Sequence, residues 1–119
     1  MEFTSFYIIE STNYILFQVR KKGKLPGDCL TQSYDLEYGS ATIEIQKNAF
    51  DYCSKKPTTR VVIVDDLLAT GGTLQAACDI VNKLGHCRVT KALVIMELSF
   101  LNGRSKLPHD VNLTSFIEY

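Results

Sequence analysis

Asp65 and Asp66 end an apolar run, Val61 to Val64, and are followed closely by a small-residue turn, Ala69-Thr70-Gly71-Gly72-Thr73. Two carboxylates beside a glycine turn suggest two recognition tasks on one ligand. Glycines let a backbone approach a bound group closely and adopt positive φ angles, so that successive N–H groups converge on an anion. A helix opening at that point adds about half a positive charge, and the Thr70 and Thr73 hydroxyls are further donors for a phosphate monoester. The spacing is not that of a mononucleotide P-loop, which ends in Gly-Lys-Ser/Thr, nor of the dinucleotide G-x-G-x-x-G. Carboxylates at the carboxyl end of a parallel strand can accept hydrogen bonds from vicinal hydroxyls. Acids and phosphate would repel one another at one spot, and a sugar between them removes the conflict. The stretch therefore reads as a sugar-phosphate site.

Blander readings exist for each part alone. An Asp-Asp pair after a strand often caps a helix or sits in water, and Gly-Gly is a common turn. Receiver domains also carry an apolar strand ending in paired acids, but they need a phosphoacceptor Asp after the next-but-one strand and a later Lys. The run ending Met96-Glu97 offers no match. The combination of strand, acids, turn and helix start favours the sugar phosphate.

These residues need elements to position them. Val61 to Val64 is a short continuous apolar run, as in a central parallel strand covered on both faces. Leu74, Ala77, Cys78, Val81 and Leu84 recur at helical spacing and Gly85 stands where a left-handed cap belongs, so a helix is predicted over 73–84. Ala92 to Met96 makes the next strand, giving a strand-helix-strand unit with a right-handed crossover, and Leu113 to Ile117 adds a last strand. Upstream, residues 6–9 and 14–19 are rich in aromatic and β-branched types and flank the turn-prone Ser11-Thr12-Asn13, which predicts two short strands. "RKKGKLPGD", Arg20 to Asp28, reads as a loop and is the densest basic cluster. Tyr34, Leu36 and Tyr38 alternate with polar residues, Gly39-Ser40 break the run, and Ile43 and Ile45 alternate with Glu44 and Gln46: a hairpin with one face in water.

The 119 residues suit one domain, 1–119, with a single core. Hydrophobic residues at 45% and charged residues at 22%, with 13 basic against 13 acidic, describe a soluble globular chain without the field of a nucleic-acid or membrane binder. Cys29, Cys53, Cys78 and Cys87 form no C-x-x-C pair and no zinc grouping with His86 and His109, so reduced thiols are expected. No leader pattern opens the sequence and no apolar run approaches the roughly 20 residues of a membrane span, which points to the cytoplasm.

"VVIVDDLLATGGT" resembles the phosphoribosyl-pyrophosphate loop of the type I phosphoribosyltransferases. "RKKGKLPG" (20–27), "SYDLEYGSATIEIQKNA" (33–49) and "MELSFLNGRSKL" (96–107) are similar to segments of the adenine phosphoribosyltransferases, in their order and spacing. The resemblance covers about residues 17–119. It implies an α/β fold with a mainly parallel sheet, flanking helices and an antiparallel flap hairpin. It further implies purine salvage by transfer of 5-phosphoribose from phosphoribosyl pyrophosphate to adenine, giving AMP and pyrophosphate. Magnesium would be bound through the donor, with no direct protein ligand.

By the same resemblance Asp65 and Asp66 hold the ribose hydroxyls, and Ala69, Thr70, Gly71, Gly72 and Thr73 the 5-phosphate. Glu37 is the catalytic acid that shares a proton with N7 of adenine, while Tyr34 and Tyr38 belong to the flap that closes over the site. Lys24 is the chosen cation for pyrophosphate among Lys21, Lys22 and Lys24, and Leu98 flanks the base. The family's hood and its Asp-Ser-Arg-Gly type pyrophosphate loop find no counterpart in "MEFTSFYIIESTNY", so the fold is expected to be incomplete at its N-terminal part. A homodimer, or pairing with a longer relative, is implied as the assembly. A non-catalytic nucleotide-binding or regulatory relative is the second reading of the chain.

Overall fold

The computed structural model describes residues 3–10, 13–36, 38–49 and 59–119. They form one seven-stranded sheet with strands in the order β3-β4-β2-β1-β5-β6-β7. In chain order these are β1 (Phe3–Glu10), β2 (Asn13–Lys21), β3 (Cys29–Leu36), β4 (Gly39–Gln46), β5 (Thr59–Leu68), β6 (Cys87–Glu97) and β7 (Asn112–Glu118), with helix α1 (Gly72–Lys83) between β5 and β6. Two 3₁₀ turns, Ser99–Leu101 and Gly103–Lys106, lead into β7.

The expected parallel block is present: β5 pairs with β6, and β6 with β7, both in parallel. The expected antiparallel hairpin is β3 with β4, from Cys29↔Gln46 to Leu36↔Gly39. Every other ladder among the described residues is antiparallel, so parallel pairing is confined to the three strands around the strand-helix-strand unit. Helix α1 starts one residue earlier than the sequence suggests. Its buried residues are Leu74, Ala76, Ala77, Cys78, Ile80 and Val81, a stripe wider than the predicted one because strands β3 and β4 as well as β5 and β6 pack against it. Gly85 has φ +85°, as a left-handed cap after the helix requires.

The breadth of that contact follows from the shape of the sheet. At about 4.8 Å per strand, β3 and β5 would lie about 19 Å apart in a flat sheet, yet α1 touches β3 and β4 as well as β5 and β6. The sheet therefore curls around the helix. Lys83 in the last turn donates from Nζ to the Thr31 carbonyl of β3 at 3.0 Å, and Thr73 in the first turn reaches Tyr34 of the same strand. Val61, Ile63, Ile45, Ile80, Val81, Ala92 and Val94 fill the space inside the curl. Burying each large aliphatic side chain contributes about 1.5–3 kcal/mol.

One expectation fails in the hairpin. Strict alternation would leave Glu44 facing water, but Ile43, Glu44 and Ile45 are buried in succession, with Glu44 5% exposed. The basic loop folds over it: Glu44 Oε1 accepts from the amides of Gly23, Lys24 and Leu25 at 3.1, 3.0 and 2.8 Å. A buried carboxylate with three donors satisfies the rule that buried charge must be paired.

Candidate active site

Strand β5 does not stop at its apolar run. Asp65 continues the ladder opposite Val94, and Leu67 and Leu68 pair with Met96 and Glu97. This extension carries both acids to the carboxyl end of the parallel block, where open α/β sheets bind ligands. Both are half-buried, and the Asp66 amide donates to Asp65 Oδ1 at 2.8 Å, which fixes the first carboxylate relative to the second backbone unit.

The turn that follows has the predicted character with one revision. Gly71 takes φ +91° and caps α1, whose first hydrogen bond runs from the Gln75 amide to the Gly71 carbonyl at 2.9 Å. Gly72 is already helical, so positive φ is needed at Gly71 alone. No side chain caps the helix start. The amides of the first turn are thus of the kind that receive an anion.

Acids and turn open onto one cavity of about 190 Å³. Asp65 to Leu74 line one side, and Val19, Lys21, Tyr34 and Ile43 line the other. The structure thus brings together Asp65, Asp66, Ala69, Thr70, Gly71, Gly72, Thr73 and Tyr34 from the residues singled out in the sequence. Tyr34 closes the near wall: its hydroxyl accepts from Thr73 Oγ1 at 3.3 Å, and its ring edge lies 3.5 Å from where a β-carbon on Gly72 would stand.

Other sequence choices fall elsewhere. Lys24 is exposed and does not line the cavity, its amide being engaged by Glu44. Lys21, one step before the loop and level with Ile43, does line it, so the cation at the pocket comes from the strand end. Leu98 also lies outside the lining; its amide donates to the Leu68 carbonyl at 2.9 Å and closes the end of the parallel block. Tyr38 is 89% exposed beside the hairpin tip. Glu37, like Cys53, is outside the described residues.

Two further residues escaped sequence reasoning. Gly103 lies against the turn, backbone to backbone with Gly71. Glu97, 4% exposed, is gripped by Arg104 through Nη2 to Oε1 at 2.6 Å and Nε to Oε2 at 3.1 Å, while Ser115 Oγ donates to Oε1 at 2.9 Å. Hydrogen bonding from Arg104 holds the Glu97 carboxyl below the ordinary glutamate value, against the opposing pull of burial. Asn-Gly is an ordinary turn pair and Met-Glu an ordinary strand end, so neither signals these contacts.

Residues 33–117 match the phosphoribosyl transferase domain model. Over 93 residues the chain is 55% identical to adenine phosphoribosyltransferase of Butyrivibrio fibrisolvens, which covers 78% of this chain and 48% of that protein. Among solved structures, adenine phosphoribosyltransferase of Thermoanaerobacter pseudethanolicus aligns with TM-score 0.74 and 45% identity over 85% of this chain and 55% of its own. The Saccharomyces cerevisiae enzyme, complexed with an imino-altritol bisphosphate and adenine, aligns with TM-score 0.71 and 44% identity over 82% of this chain and 51% of its own. The chain spans about half the length of the curated relatives it matches.

Proposed function

The chain belongs to the phosphoribosyl transferase domain family, and from that footing we propose that it binds phosphoribosyl pyrophosphate and AMP and takes part in the transfer of 5-phosphoribose to adenine, releasing pyrophosphate. The observation that carries this reading is the shared cavity, lined by both the acid pair and the glycine turn. The turn would take the 5-phosphate, with Thr70 and Thr73 as hydroxyl donors. Asp65 and Asp66 would accept hydrogen bonds from the ribose hydroxyls and tolerate positive charge on the ribose as its bond to pyrophosphate loosens. Lys21 would neutralise the departing pyrophosphate, in preference to Lys24. Glu37 keeps the role that the family resemblance gives it, sharing a proton with N7 of adenine.

Magnesium would enter this site as a companion of the donor. Among the described residues no three His, Cys, Asp or Glu side chains gather to hold a metal. Two adjacent carboxylates and a diphosphate are nevertheless the hard oxygen donors that the ion selects, usually with several waters retained. When bound, it would supply charge neutralisation on the pyrophosphate oxygens.

A second reading, nucleotide binding without turnover by a chain that pairs with another copy or with a longer relative, draws on a different observation. Ile95 and Phe116, level on adjacent strands β6 and β7, are 53% and 70% exposed, and clustered exposed apolar side chains mark association surfaces. No helix among the described residues is long and apolar enough to cross a membrane.

Calorimetry with phosphoribosyl pyrophosphate and magnesium, followed by a radiolabelled-adenine assay for AMP, tests both. AMP formation supports the enzyme; donor binding without AMP supports the second reading; absence of donor binding refutes both. Asp65→Asn and Asp66→Asn should each weaken donor binding through lost charge-assisted hydrogen bonds, worth roughly 1.5–3 kcal/mol.

A further inference from the structure

The turn Ala69 to Thr73 rests on a second glycine. A β-carbon added to Gly71 would fall against the Gly103 carbonyl oxygen. One added to Gly103 would fall against the Ala69 carbonyl oxygen and within 2.9 Å of the Gly71 amide nitrogen. Gly103 has no positive φ, so the backbone conformation would accept another residue. Space is what would not: the two chain segments touch where any side chain would part them.

Two features hold Gly103 in that place. Its neighbour Arg104 is tied by both Nε and Nη2 to Glu97, and Arg104 Nη1 also donates to the Leu113 carbonyl at 3.3 Å. Glu97 in turn is the ladder partner of Leu68, the residue directly before the turn. Ser115 of β7 donates to the same carboxylate. A short path thus runs from the end of β5 across to Glu97, through Arg104 to Gly103, and back to Gly71.

An anion cradle works only if its N–H groups converge within about 0.5 Å of the productive geometry. The turn's own sequence does not enforce this, since glycine is the most permissive of residues. We infer that Glu97, Arg104 and Gly103 form a backstop that fixes the shape of this turn and so act as positioning residues for a phosphate monoester. The inference rests on the reading of the turn as the phosphate site. Gly103 matters through its missing β-carbon, Arg104 through its bidentate grip, and Glu97 as the fixed post.

The test is AMP titration of the full chain by calorimetry, with folding checked by circular dichroism. Gly103→Ala and Arg104→Ala are each expected to weaken AMP binding about tenfold, with Arg104→Lys intermediate because lysine cannot make the forked contact. Non-additivity separates positioning from general damage: Gly103→Ala should add less than about twofold to Thr70→Ala/Thr73→Ala, but its full effect to Asp66→Asn at the other end of the ligand. Gly103→Ala and Arg104→Ala both within about twofold of the parent chain, beside an impaired Thr70→Ala/Thr73→Ala, would overturn the backstop. Full additivity in both backgrounds would overturn it as well. If Thr70→Ala/Thr73→Ala itself binds AMP normally, the fault lies in the phosphate reading of the turn. Should Gly103→Ala fail to fold, the Arg104 pair reads the same quantity, because that side chain is 47% exposed and its trimming leaves the core filled.

Discussion

Tyr34 and Thr73 join hydroxyl to hydroxyl at 3.3 Å beside the candidate site, one from the β3–β4 hairpin and the other from the first turn of α1. Removing this link by Tyr34→Phe leaves the ring against Gly72 and deletes a single neutral hydrogen bond. A loss of about 0.5–1.5 kcal/mol in unfolding free energy is expected, with faster amide exchange along β3. Denaturant titration and hydrogen exchange check it, and unchanged exchange in β3 would show that the hydroxyl pair carries no weight.

Glu44 should govern the order of the basic loop. Glu44→Gln keeps an acceptor oxygen but removes the charge that strengthens three amide contacts, so a cost of about 1–2 kcal/mol is expected, and Glu44→Ala should cost more. The amides of Gly23, Lys24 and Leu25 should lose protection in step. If their exchange rates stay at parent values in Glu44→Ala, the carboxylate is not what holds the loop.

Acid stability should report on Glu97. Its carboxyl titrates below the ordinary value of 4.5 in the folded chain, so its contribution is fully present above that value and is lost only as pH falls through the lower, folded one. In Arg104→Ala the principal cause of the lowering disappears, and burial is then opposed only by the hydrogen bonds of Ser115 and Glu118. The acid-side decline of the melting temperature should then begin at higher pH than in the parent chain. Parallel pH profiles for the two proteins would contradict this account.

Thiol chemistry should separate the cysteines. Burial, reinforced by the charges of Asp79 and Asp110, pushes the Cys78 thiol up to about 12, and its side chain is fully enclosed by the core. Alkylation of the native chain at pH 8 should therefore mark the half-buried Cys29 well before Cys78 or Cys87. Site-resolved mass spectrometry reads the order, and early labelling of Cys78 would mean that the core opens readily around α1.

Where physics is local, the sequence was a faithful guide. Helix α1 was legible to within a residue because its apolar period, its glycine start and Gly85 all agree. The acids and the turn were legible because strand, carboxylates and glycines adjoin in the chain. Strand ends were less so: β5 runs on through Asp65 and Asp66 because its ladder with β6 continues, and nothing in the residues themselves announces that pairing. Glu44 looked like a water-facing position because alternation cannot reveal that a loop twenty residues earlier folds back over it. Gly103 was invisible for a similar reason, since its neighbour Gly71 is distant in sequence. Lys21 and Lys24 differ in placement, one lining the cavity and the other not, through the direction of a strand end, which composition does not encode.

The hairpin expected to close over the ligand is fastened to both ends of α1, through Tyr34 to the first turn and through Lys83 and Thr31 to the last. Thr73 and Lys83 are about 15 Å apart along the helix, and both are bound to the one strand β3. Strand β3 is thus moored to the helix at two places, and parting the two would require both contacts to break together.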